Sequence, residues 1–82
     1  VIMPSPADFR DIENILKDFR TVLIMKTFDN GKVIKEYLER NNPSSAVAVF
    51  YAYTEKQKIY DLKKEFPPSN IDFYMSVTMI KS

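Results

Sequence analysis

Asp8 and Asp11 stand three residues apart, and Asp18 follows two turns later. On a helix, that spacing puts the first two carboxylates on one face, where a pair could hold Mg²⁺ or relay protons. Arg10, Lys17 and Arg20 are interleaved with them, and such neighbours point instead to a solvated, salt-bridged face. The chain has no His and no Cys. Those gaps remove the commonest zinc ligands, the usual general base, thiolate nucleophiles and every imidazole-dependent triad. The expectation is no catalysis, no metal site and no cofactor.

Anion chemistry has a different set of candidates. Ser5 and Thr54 stand where helices could begin, and helix starts attract anions. Lys32 and Lys56 lie near two such positions, and Asn30 belongs to the Asp29-Asn30-Gly31 turn. In an open parallel sheet these segments would gather beyond the carboxyl ends of the strands. Ser5, Asn30, Lys32, Thr54 and Lys56 are therefore the predicted binding residues for a small anion or nucleotide. The competing explanation is ordinary helix capping. No G-x-G-x-x-G and no P-loop is present, and one Gly in 82 residues leaves little bare backbone to cradle a phosphate.

Aromatic residues crowd the second half: Phe50, Tyr51, Tyr53, Tyr60, Phe66, Phe73 and Tyr74, interleaved with Lys58, Lys63, Lys64 and Lys81. That mixture could stack single-stranded RNA. Phe50, Phe66 and Phe73 fit a core pattern better. A formal charge of +1, with nine of twelve basic residues being Lys, disfavours a nucleic-acid partner. Tyr51, Tyr53 and Tyr74, together with Ser76 and Thr78, are instead predicted to form a protein-interaction surface.

The elements that must position these residues follow from periodicity. Val1 to Met3 could be a short first strand ending at Pro4. Ser5-Pro6-Ala7-Asp8 reads as a helix start, and Phe9, Ile12, Ile15, Leu16 and Phe19 recur at helical spacing, which predicts a helix over 6–19. Residues 21–28 form a β-rich run. Val33, Ile34, Tyr37 and Leu38 mark a second helix that ends at Asn41-Asn42-Pro43. Ala46 to Tyr53 is apolar on both faces and predicts a central strand in which Val49 is buried. Thr54-Glu55-Lys56-Gln57 resembles a capping box, and Ile59, Leu62 and Phe66 extend it into a third helix stopped by Pro67-Pro68. Ile71 to Ile80 alternates as a last strand, with Phe73, Met75, Val77 and Met79 on its core face.

The expected fold is thus α/β: a single domain over 1–82, with a small, largely parallel sheet of three to four strands and three helices, in the order (β)αβαβαβ. The absence of an initiating Met leaves room for a longer parent chain. No apolar run reaches the length of a membrane span, so no membrane partner is expected. The lack of Cys fits a reducing, cytoplasmic setting.

Two resemblances can be named. Val1 to Met25 is similar to the start of SepF-type cell-division proteins, in the order short strand, helix, apolar strand, second amphipathic helix. The match covers about a third of the chain and implies a division or assembly module. Asn41-Asn42-Pro43 stands where that family carries a glycine-containing segment. Asn42-Pro43-Ser44 before Ala46 to Val49 is similar to the self-cleaving loop of type III secretion export-switch proteins, but the His of that loop is missing. Neither is taken as an assignment.

The functional expectation is a non-catalytic protein-interaction domain, an adaptor or a regulatory inhibitor. It should associate with itself as a dimer, edge to edge through the last strand or face to face. The alternative is a ligand-sensing domain with an anion or nucleotide at the strand ends.

Overall fold

A computed structural model describes residues 1–27, 31–68 and 71–82. The elements are β1 (Ile2–Pro4), α1 (Phe9–Asp18), β2 (Thr21–Met25), α2 (Lys32–Arg40), β3 (Ser45–Phe50), β4 (Lys58–Asp61), a 3-10 turn (Phe73–Met75) and β5 (Ser76–Lys81). The five strands form one sheet in the order β1-β2-β5-β3-β4. Only β1 and β2 pair in parallel; β2–β5, β5–β3 and β3–β4 are antiparallel. This corrects the expectation of a largely parallel sheet of three to four strands with three helices. The described residues form two helices, and the sheet is mixed.

The missing third helix explains the change of topology. A parallel return from β3 needs a crossover of a dozen or more residues, whereas a short turn permits only a hairpin. Here residues 51–57 form that turn. Tyr51 and Tyr53 adopt left-handed backbone, with φ of 53° and 64°. The Thr54 hydroxyl donates to the Tyr51 carbonyl (2.6 Å) and accepts from the Lys56 N–H (3.2 Å), while the Gln57 side chain accepts from the Tyr53 N–H (2.9 Å). The Thr and Gln of the apparent capping box therefore close a hairpin. β4 then alternates: Tyr60 lies opposite Ala48 on one face, and Ile59 opposite Val49 on the other.

The first helix begins later than its sequence suggested. Asp8 is the cap, not Ser5: its carboxylate accepts the Arg10 N–H (3.0 Å), and Asp11 accepts the N–H of Asp8 (3.3 Å). α1 and α2 cover one sheet face. Ile12, Ile34 and Tyr37 pack there with Val22, Ile24, Ala48, Phe50 and Ile80. Phe50, Phe73 and Phe66 continue this core as a chain of rings: Phe50–Phe73 edge to face at 4.8 Å, and Phe73–Phe66 stacked at 5.5 Å. These three rings pack on one another. Asn41, the C-cap of α2, also donates to Glu13 (2.8 Å) and ties the two helices together.

β5 carries a second correction. The 3-10 turn interrupts the last apolar alternation, and β5 enters the sheet with the opposite facing from that expected. Ser76, Thr78 and Ile80 point to the helices and are buried; Met79 is 38% exposed. A shift of one residue exchanges the faces of a whole strand. β5 also lies between β2 and β3, so its backbone is paired on both sides and cannot join another copy edge to edge. β3 is interior, as its two apolar faces predicted, but Val49 is half-exposed on the face away from the helices.

Candidate functional site

The face away from the helices is apolar and bare. Registered pairs place Ile2, Leu23, Met79 and Val47 in one row, and Pro4, Met25, Val77, Val49 and Ile59 in the next. None of these nine residues is buried. Ile2 and Ile59, on the edge strands, are 67% and 63% exposed. The polar rim consists of Thr21, Lys81 and Ser45 in the row beyond, and of Asp61 beside Val47.

The predicted interaction residues divide between two environments. Ser76 and Thr78 are 6% and 0% exposed on the helix-covered face, so they take no part in a surface. Tyr53 is fully exposed at the hairpin, and Tyr74 is partly exposed on the 3-10 turn. The Tyr51 N–H donates to the Met75 carbonyl (3.0 Å), which brings the hairpin and the 3-10 turn together at one end of the sheet. Sequence reasoning missed the true exposed set, because its alternation placed Val77 and Met79 on the core side.

β1, β2 and β3 do run in the same direction, so Ser5, Lys32 and Thr54 lie toward one end of the sheet. They do not converge. The ends of β1 and β3 are three strand spacings apart, about 14 Å. Ser5 lines a shallow cavity with Pro4, Pro6 and Asp11, while Lys56 lines another with Tyr51 and Lys58. Lys32 is exposed at the start of α2. Thr54 spends its hydroxyl inside the turn. Asn30 lies outside the described residues.

The Lys56 cavity has a volume of about 390 Å³ and is bounded by Tyr51, Lys56, Lys58, Tyr60, Pro68 and Ile71. The Tyr60 ring is held edge to face against Phe50 at 5.7 Å. The cavity lies on the helix side of β4, since Tyr60 and Lys58 register with Ala48 and Phe50. Its polar groups are thus on the sheet face opposite the bare apolar rows.

Titration shifts fall on the helices. Asp8 is held below its ordinary range by the Arg10 side chain, which hydrogen-bonds it at 2.9 Å, and Arg10 is raised in return. Tyr37 is raised by burial and then by Glu13. These shifts belong to helix capping and packing. Asp8 and Asp11, the pair spaced to hold Mg²⁺, are both engaged in the α1 cap. Among the described residues, no three acidic side chains converge, and no helix is long and apolar enough to cross a membrane.

Compared with family models and with curated proteins, the chain matches none. The strand–helix–strand–helix opening that carried the SepF resemblance is present, and no family is assigned on it.

Proposed function

We propose that the chain is a non-catalytic interaction domain that pairs with a second copy of itself, burying the bare sheet face against its equivalent. The observation that carries this reading is the facing of β5. The central strand turns Val77 and Met79 outward and Ser76 and Thr78 inward. A monomer gains nothing from that choice, because apolar side chains lower the free energy only when removed from water. A strand covered on both sides gains from it.

Area is compatible with a second copy as the occupant. With strands about 4.8 Å apart and a same-face repeat of about 6.7 Å, five strands by two rows span about 300 Å², or about 500 Å² with the polar rim row. Two such faces supply about 1,000 Å², the lower bound for a specific interface. The apolar centre and the rim bearing Lys81 and Asp61 have the anatomy of such a contact, and a two-fold axis would make it self-complementary. A weak, concentration-dependent homodimer fits these dimensions. An adaptor or regulatory role, in the cytoplasm, is the setting in which such a module would act.

The test is sedimentation across the micromolar range with the Met79→Lys and Met79→Leu variants. Dimers of the parent chain and of Met79→Leu, with a folded monomer for Met79→Lys, are expected. A parent chain that stays monomeric at the highest soluble concentration overturns the reading.

A further inference from the structure

We propose that the cavity bounded by the β3–β4 hairpin, Pro68 and Ile71 binds a small anion carrying a planar ring, of the size and chemistry of a nucleoside monophosphate. Lys56 and Lys58 line this cavity, and neither forms an ion pair among the described residues. Among the described residues no carboxylate lines it. Two unpaired cations on a concave surface, with no acid between them, attract an anion.

The rest of the wall specifies what the anion must carry. Tyr51 and Tyr60 present phenol rings, while Pro68 and Ile71 complete an apolar boundary. Tyr60 is already oriented by its edge-to-face contact with Phe50, so binding need not pay to order that ring. Aromatic walls stack on planar heterocycles with little regard to their edges. The volume, about 390 Å³, falls within the range of small-molecule pockets.

The hairpin turn also holds Tyr51 in place. It holds φ at 53°, a conformation that is costly for a bulky side chain and is kept where surroundings over-determine it. The Thr54 hydroxyl and N–H both bond its carbonyl, and Met75 accepts its N–H. The backbone of this cavity-lining residue is thereby fixed. This inference does not depend on the bare sheet face, which lies on the other side of the sheet.

NMR titration of the isotope-labelled chain with AMP, adenosine and inorganic phosphate tests it. AMP should shift amides around 51–60 and 71, with adenosine and phosphate each binding more weakly. Lys58→Gln should weaken AMP by about tenfold or more, the worth of one charge-assisted bond. Tyr51→Asn, which tolerates the left-handed backbone, should fold and lose the same interaction. The proposal is overturned by no amide shift with millimolar AMP, by phosphate binding as tightly as AMP, or by AMP affinity unchanged in folded Lys58→Gln and Tyr51→Asn chains.

Discussion

The Phe73 ring stands over Gly31 so closely that a Cβ built on the glycine would lie 2.7 Å from its Cζ. Gly31 also holds φ at 80°, where a side chain is strained whatever the space. The sole glycine of the chain is therefore fixed by two constraints, one from its own backbone and one from a ring 42 residues away in sequence. Gly31→Ala should lower stability by about 1–2 kcal/mol through backbone strain and by about 1–3 more through displacement of the ring. Urea unfolding checks the sum. A loss under about 0.5 kcal/mol, the scale of an ordinary surface change, would refute both constraints; a loss of about 1–2 kcal/mol would show that the ring yields freely.

Thr78 is fully buried between Ile24 and Ala48, and its hydroxyl has no hydrogen-bond partner among the described residues. Burying such a group unsatisfied costs about 1–3 kcal/mol. Thr78→Val keeps the branched shape and removes the oxygen. The urea midpoint should rise with an unchanged slope, corresponding to about 1–2 kcal/mol. A lowered midpoint would mean that the hydroxyl is satisfied.

Asp8 supplies a pH signature. Its folded pKa lies below the ordinary 3.8, because Arg10 stabilises the carboxylate. A depressed acid contributes stability that is complete above its unfolded pKa and is lost as pH falls through the folded one. The Asp8→Asn variant keeps a capping oxygen but cannot titrate. Melting temperatures of the two chains should differ at pH 6 and converge as pH falls below 3.8. A gap that persists unchanged to pH 2 would refute the linkage.

Much of the fold was legible where one period dominated. Phe9, Ile12, Ile15 and Leu16 admit only a helix, and Ala46 to Phe50 only a strand. The failure came where two periods fit the same residues. Ile59, Leu62 and Phe66 satisfy helical spacing, yet Tyr60 and Leu62 equally satisfy a strand, and Thr54 with Gln57 serve a turn as well as a cap. Local chemistry could not decide between them; pairing with Val47 to Phe50 did. The facing of β5 was hidden for a related reason. A 3-10 turn over Phe73 to Met75 leaves no mark in an alternation that runs unbroken from Ile71 to Ile80. At the candidate cavity, Tyr51 and Lys56 stood out by residue type. Lys58 and Tyr60 become its partners only once β4 is a strand, which puts them on one face.

The position of β5 bears on how the chain must be made. Of these five strands, the last to leave the ribosome is the one that joins β1-β2 to β3-β4. Until it emerges, β2 and β3 each lack the partner that lies between them in the finished sheet. Their pairing partners are far apart in sequence: Val22 meets Ile80, and Leu23 meets Met79. Contacts of that span slow folding and prolong the exposure of open strands. Assembly of this sheet is thus a single late event, and a chain cut short before Ser76 should behave as an aggregating fragment rather than as a smaller domain.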